Sequence, residues 1–196
     1  MYKRTNLKNK LRVVSHQMKD RNSTAVGVWA GVGGRYESAT IKGAAHFLEH
    51  IVFKGTKKYS CEEIKQKIEG VGGTLNAFTS EECTCYFAKI PSQHVEQTFD
   101  ILSDMILQPL IMKKDVDKER GVILEEIKMY HDLPQHLVMD LLDQLLWANH
   151  PLGQNIAGNP ESVGGMSEQD LRRFHDDFYI ASNIVVSACG DISHTR

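Results

Sequence analysis

Residues 43–53 form the segment that most narrowly limits how this chain can fold. They read Gly-Ala-Ala-His-Phe-Leu-Glu-His-Ile-Val-Phe. On a helix that turns by about 100° per residue, His46 and His50 lie one turn apart on one face, with Glu49 beside them. Apolar residues occupy the rest of the circumference, which predicts a helix that is buried on nearly every side. Burying three ionisable groups without partners is costly, so the pattern predicts a compensating partner for them.

A metal ion is the partner that this pattern favours. Two histidines four residues apart on a helix can both bind one tetrahedral Zn²⁺, at about 2.0–2.1 Å from each ring nitrogen. Glu49 reaches the same neighbourhood, where it can take a proton from a water whose pKa the metal has lowered. The alternative, a core histidine pair beside a salt bridge, fits a lone histidine better than this complete set. We therefore expect one zinc ion per chain, at a type of site that also accepts Mn²⁺ or Co²⁺.

A third ligand is expected, because a catalytic zinc usually has three protein ligands and one open position. The helix predicted over 113–131 offers two candidates, Glu119 and Glu126, which lie about 20° apart on a helical wheel. Apolar residues within about 80° of Glu119 mark the same face as the one turned to the core: Val116, Val122, Ile123, Ile127 and Tyr130. Glu125 lies about 120° away, on the solvated face. The wheel does not rank Glu119 against Glu126, and a carboxylate that holds a ligating histidine is also expected.

The composition is that of an ordinary globular protein, with 196 residues, 41% hydrophobic and 24% charged. The 23 basic and 25 acidic residues give a net charge of −2, which argues against a nucleic-acid partner. No apolar run approaches the roughly 18 residues of a membrane-spanning helix, so no membrane partner is expected. The basic start lacks the apolar stretch of a signal peptide, which favours a cytoplasmic protein with free thiols. Cys83 and Cys85 are expected to be small buried thiols on one side of a strand.

Short, Val-rich or aromatic runs alternate with helical patterns along the chain. Strands are predicted over 11–18, 25–32 and 183–189, with a hairpin over 74–90 that turns near Ser80 and Glu81. Helices are predicted over 44–54, 60–69, 91–107, 113–131, 135–148 and 167–179. Residues 150–165 are expected to be an irregular connection and a candidate lid. The grouping predicts an α+β fold, a mostly antiparallel sheet packed against a block of helices, with 1–196 as a single zinc-binding domain.

Three further local predictions follow from the same pass along the chain. Capping-box spacing marks helix starts at Ser60 with Glu63, at Ser167 with Asp170 and, less well, at Ser92 with Glu96. The two glycine clusters are interpreted as tight turns, since neither completes a dinucleotide-binding fingerprint: 31–34 and 70–73. Five histidines outside the motif are expected at the surface: His94, His131, His136, His150 and His175.

The His-x-x-Glu-His set is the signature of the inverzincin peptidases. Over nearly its whole length the chain resembles the pitrilysin, insulinase and mitochondrial-processing-peptidase family (M16). The segments that carry the resemblance are 34–37, 45–56, 72–79, 82–86, 119–120 with 126–127, 151–153 and 158–160. The resemblance implies a processing-peptidase-like half-domain. It implies zinc ligands at His46, His50 and Glu126, a general base at Glu49 and a supporting carboxylate at Glu119. It also implies an edge strand that receives the substrate at Asn76, Ala77 and Phe78.

The function that the resemblance implies is a zinc-dependent endopeptidase acting on unfolded or presequence-like peptides. Members of the family usually have a second, similar half that closes over the substrate, and we expect that half to be absent from this chain. A second half-domain or a homodimer partner is therefore expected. Two alternatives remain: a non-catalytic scaffold subunit of a processing-peptidase-like complex, and a zinc hydrolase acting on a non-peptide substrate.

Overall fold

A six-stranded sheet forms one layer of the fold, in the order β1-β2-β6-β3-β5-β4. The computed structural model describes residues 1–195. The strands are β1 (Lys3–Asn6), β2 (Arg12–Gln17), β3 (Ser23–Ala30), β4 (Thr74–Thr79), β5 (Thr84–Pro91) and β6 (Ile184–Gly190). Only the β2–β6 pair is parallel among the pairs of this sheet, and the other four are antiparallel. The predicted α+β class with a mostly antiparallel sheet is confirmed.

Helices supply the second layer. They are α1 (Ala44–Val52), α2 (Cys61–Ile68), α3 (Val95–Leu107), α4 (Lys113–His131), α5 (Pro134–Leu146), α6 (Pro160–Gly165) and α7 (Glu168–Phe178). The core lies between them and the inner face of the sheet, where Val28, Tyr86 and Ala88 pack with Phe47 and Leu102. Across residues 1–195, no helix combines the length and the apolar character needed to cross a membrane.

The local predictions at helix starts are confirmed at two of three places. Ser60 with Glu63 and Ser167 with Asp170 form reciprocal capping boxes at the starts of α2 and α7. The prediction at Ser92 is wrong, because α3 begins at Val95 without a side-chain cap. The Ser92 hydroxyl instead bonds to Thr24 Oγ1 at 2.9 Å, and residues 92–94 form a short 3-10 turn.

Two elements were not predicted from the sequence. Residues 150–165 were interpreted as an irregular connection, but residues 160–165 within them form α6. Asn159 caps the start of this helix, since its side-chain oxygen accepts from the amides of Glu161 and Ser162. Strand β1 carries four exposed residues and pairs with β2 through its backbone, so its sequence has no apolar alternation to detect. The four cysteines are free, as predicted, with Cys85 buried and Cys83 half-buried.

The predicted hairpin is formed by β4 and β5, and its turn is fixed against the first glycine cluster. Ser80 donates its amide to the Cys83 carbonyl at 2.8 Å, which closes the turn. The Ser80 carbonyl accepts from the Gly34 amide at 3.2 Å, and the Glu81 carbonyl accepts from the Arg35 amide at 2.8 Å. A Cβ at Gly33 would lie 1.9 Å from the Ser80 carbonyl oxygen. Glycine is therefore required there by the close approach of two loops.

Helix α5 is confirmed within two residues of its predicted bounds, but none of its residues is buried. Its large apolar side chains are exposed, up to 79% for Leu145: Val138, Met139, Leu141, Leu142, Leu145 and Leu146. An apolar helix face of this kind is typical of a surface that another protein segment covers.

Candidate metal centre and active site

Helix α1 carries the predicted site, and a buried carboxylate holds its start. Glu37 accepts hydrogen bonds from the backbone amides of Gly43 at 2.9 Å and Ala45 at 2.8 Å. Lys42 donates to the Gly34 carbonyl at 2.7 Å and lies 3.9 Å from Glu37. Burial raises the pKa of Glu37 to about 7, against the lowering effect of those two amide bonds and of Lys42. The sequence does not predict this cap, because Glu37 lies six residues before Gly43, the N-cap of the helix, and outside the capping-box spacing.

Three donor atoms converge between α1 and α4. Nε2 of His46 and Nε2 of His50 lie 3.8 Å and 3.6 Å from Oε2 of Glu126. All three side chains offer ligand atoms within 4.8 Å of one another. A tetrahedral zinc with bonds near 2.0–2.1 Å needs donors roughly 3.3 Å apart, so small side-chain adjustments would close this set around the ion. Two imidazoles and one carboxylate therefore fit a zinc ion here.

Glu119 lies on the other side of His50. It is 3% exposed, its Oε2 lies 3.3 Å from Nδ1 of His50, and its Oε1 accepts from Nζ of Lys54 at 2.7 Å. The two carboxylates that the helical wheel left unranked thus face different nitrogens of one imidazole. Glu126 faces Nε2 of His50, and Glu119 faces Nδ1 of the same ring.

Glu125 lies on the solvent face of α4, paired with Lys128 at 2.6 Å. The predicted core stripe of α4 holds for Val116 and Ile123, which are buried, but is wrong for Val122, which is 47% exposed. Helices α1, α5 and α6 contact α4, and Val122 lies outside the part of the helix that they bury.

Burial, together with the smaller effect of the neighbouring His50, lowers the pKa of His46 to about 4. The ring is therefore neutral near pH 7, which is the form that binds a metal. Its Nδ1 is buried without a hydrogen-bond partner among residues 1–195.

Glu49 lies beside this centre, and a residue of the sheet holds its carboxylate. Its Oε2 accepts a hydrogen bond from Thr79 Oγ1 at 2.5 Å. Burial raises the pKa of Glu49, while the Thr79 bond and His50 oppose that rise. A carboxylate with a raised pKa next to a metal site is suited to accept and return a proton.

The predicted substrate residues lie on β4, which is one of the two edge strands of the sheet. Asn76 and Phe78 are exposed, whereas Ala77 is half-buried and its amide donates to Asn76 Oδ1 at 2.8 Å. The outer backbone groups of an edge strand can pair with an added strand. The structure thus brings the edge strand and the metal centre together through Thr79, the last residue of β4.

A pocket of about 300 Å³ opens beside His46 and Glu126. Acidic groups from the hairpin turn and from α5 line it: Glu81, Asp140 and Asp143. Tyr130 and His136 also line it, and burial together with Glu126 raises the pKa of Tyr130. None of these five residues was a predicted site residue, since they lie on the hairpin turn, α4 and α5, which only the tertiary packing brings together.

One prediction about the remaining histidines is wrong. His175 was expected at the surface, but its side chain is only 12% exposed, and its Nε2 lies 2.7 Å from the Ile106 carbonyl oxygen. It packs against Tyr179, with ring centroids 4.9 Å apart. The side chain therefore joins α7 to α3 in the structure rather than facing solvent.

Comparisons with known proteins give a consistent result. The sequence profile described as Insulinase (Peptidase family M16) matches residues 12–160. The uncharacterized zinc protease YmxG of Bacillus subtilis is 40% identical over 98% of this chain and 47% of its own length. The human mitochondrial-processing peptidase subunit beta is 38% identical over 97% of this chain and 39% of its own.

A solved protease from Helicobacter pylori has the same fold. It is 27% identical with a TM-score of 0.94, over 100% of this chain and 47% of its own. The chain thus spans about half the length of the curated relatives that it matches.

Proposed function

Because the chain belongs to the insulinase family of peptidases (peptidase family M16), we propose that it is the zinc-binding part of an endopeptidase. Its substrates are unfolded or presequence-like peptides. The observation that carries the proposal is the convergence of ligand atoms of His46, His50 and Glu126 within 4.8 Å of one another. Glu49 lies on the helix that carries the two histidines. One zinc ion per chain would be held by His46, His50 and Glu126.

A zinc ion held there would polarise the scissile carbonyl and acidify a water. Glu49 takes a proton from the attacking water through the oxygen that Thr79 does not engage, and returns it to the leaving amine. Glu119 fixes the ring of His50 from the far nitrogen. The substrate backbone pairs with the edge of β4 at Asn76, Ala77 and Phe78. Because this pairing uses main-chain hydrogen bonds, it depends little on the sequence of the peptide.

The acidic pocket supports a substrate with basic side chains. Glu81, Asp140 and Asp143 line the space beside His46, and the structure places no lysine or arginine among the lining residues that it describes. Asp140 is itself held by the side-chain amide of Asn155 at 2.7 Å. A lysine or arginine of the peptide would therefore meet positioned carboxylates close to the bond to be cut.

A second half-domain is the proposed partner, with residues 1–196 as the single zinc-binding domain. The relatives are about twice as long as the part that this chain matches. Along the same helix that lines the pocket, the apolar side of α5 is exposed, including Leu142 and Leu145. A second half-domain seated on that side would cover the face of α5 turned away from Asp140 and Asp143, and a second copy of the chain is the alternative occupant.

The test compares hydrolysis by the wild type, by Glu49→Gln and by Glu125→Gln, with zinc, alone and with a second half-domain added. The substrate is an unfolded basic peptide, set beside an acidic peptide and a small ester. We expect cleavage of the basic peptide, its loss in Glu49→Gln with zinc still bound, and no change in Glu125→Gln. Bound zinc without cleavage under either condition would favour the scaffold alternative, and ester cleavage alone the non-peptide hydrolase.

A further inference from the structure

Thr79 is the only residue within 1–195 whose side chain donates a hydrogen bond to the Glu49 carboxylate. The bond joins the proposed general base on α1 to the last residue of the edge strand β4. One carboxylate oxygen, Oε2, is engaged, which leaves Oε1 for another partner. A carboxylate with a single side-chain hydrogen-bond donor depends on that donor for its orientation.

The backbone that carries the Thr79 hydroxyl is fixed in position. Thr79 pairs with Thr84 across the hairpin, and Thr84 Oγ1 donates to the Val32 carbonyl at 2.9 Å. Immediately after Thr79, the turn at Ser80 is closed onto Cys83 and docked on the loop at Gly33. The backbone that carries Thr79 is thus held from both sides, and a β-branched side chain has few rotamers available.

We propose that Thr79 is a positioning residue for the reaction, holding one oxygen of the Glu49 carboxylate so that the other faces the attacking water. The inference rests on the proposed function. The Thr79–Glu49 hydrogen bond also links two parts of the site that lie 30 residues apart in the sequence. A substrate strand paired with β4 and the proposed base on α1 would meet at the side chain of Thr79.

Removing the Glu49 carboxylate leaves the Thr79 hydroxyl without its acceptor, and removing the hydroxyl leaves Glu49 Oε2 without its donor. Valine at position 79 would keep the shape of threonine and remove the donor. Serine would keep the donor and remove only the methyl group. The two variants therefore separate the hydrogen bond from the packing of the side chain.

The kinetic test measures kcat and KM for the basic peptide in Thr79→Val and Thr79→Ser, together with zinc content. We expect Thr79→Val to lower kcat by about 10–100-fold, with KM and zinc content near those of the wild type. Thr79→Ser should recover most of kcat. Equal activity of the two variants, or a loss seen only in KM or in bound zinc, would overturn the proposal and indicate a structural role.

A second readout does not depend on hydrolysis. In the chain with ¹³C-labelled threonine methyl groups, Thr79→Ser identifies the Thr79 signal by removing it. Three-bond couplings should report one χ1 rotamer for Thr79 in the wild type and in Glu125→Gln, and rotamer averaging in Glu49→Leu. An unchanged rotamer in Glu49→Leu would overturn the contact. A wild type that never cleaves peptide would instead overturn the proposed function, so the two failures are distinguishable.

Discussion

Nδ1 of His50 lies 3.3 Å from one oxygen of Glu119, while Nζ of Lys54 donates to the other oxygen at 2.7 Å. With Glu119 buried, this arrangement favours the tautomer of His50 that carries its proton on Nδ1. The lone pair then lies on Nε2, which is the nitrogen 3.6 Å from Glu126. A single carboxylate thus sets which nitrogen is free to bind a metal.

Glu119→Gln should weaken zinc binding by about 10–100-fold, because an amide at this position no longer holds the imidazole as a charged acceptor does. The measurement is a competition titration against a chelator of known affinity. A dissociation constant equal to that of the wild type would contradict the orienting role. Lys54→Met provides a comparison, since it removes the cation that holds Glu119 and leaves the carboxylate in place.

Glu126→Gln should cause a larger loss, with most of the zinc released on dialysis, because it removes one of three expected ligands. Glu125→Gln is the matched control, one residue away on the solvent face of the same helix, and should retain one zinc per chain. Metal analysis of the purified chains measures both. If Glu119→Gln released more zinc than Glu126→Gln, the ligand would be Glu119 instead.

Much of the site could be predicted, because its central residues obey a helical period. His46, Glu49 and His50 stand out on an otherwise apolar helix, and Glu119 and Glu126 on the core face of another. The choice between the two glutamates could not be predicted. It depends on which nitrogen of His50 each one faces, and that is set by how α1 and α4 pack.

The parts that the sequence did not indicate depend on contacts between distant segments. Thr79 reaches Glu49 across 30 residues, and Glu37 caps α1 from outside the usual spacing. Helix α5 has the composition of a core helix, yet its apolar side chains are exposed. Periodicity identifies the helix but gives no information on which neighbour covers it.

Gly33→Ala should destabilise the fold by several kcal/mol. The added Cβ would lie 1.9 Å from the Ser80 carbonyl oxygen, so the loop and the hairpin turn must separate. Gly121→Ala is the matched control in α4, where a Cβ meets nothing within 4 Å, and should stabilise by about 0.5–1 kcal/mol. Urea denaturation of the two variants measures the difference. A Gly33→Ala chain as stable as the wild type would contradict the tight contact between the loops.

The buried carboxylate of Glu37 should make stability depend on pH in an unusual direction. Its pKa is raised from 4.5 to about 7 because burial disfavours the charged form. Between those two values the folded chain binds more protons than the unfolded chain, so the free energy of unfolding falls as the pH rises. The contribution is fully present below pH 4.5 and is lost as the pH passes 7.

Glu37→Gln removes this titration, so the comparison of wild type with variant isolates it. From pH 5 to pH 8, the free energy of unfolding of the wild type should fall relative to the variant by up to about 3 kcal/mol. His46, whose pKa is lowered to about 4, produces the opposite trend, but it does so in both chains and cancels in the difference. Urea denaturation of the metal-free chains at both pH values measures the effect. A difference that stays constant with pH would mean that Glu37 is already ionised in the folded chain at pH 5, as a carboxylate dominated by its bonds to the Gly43 and Ala45 amides would be.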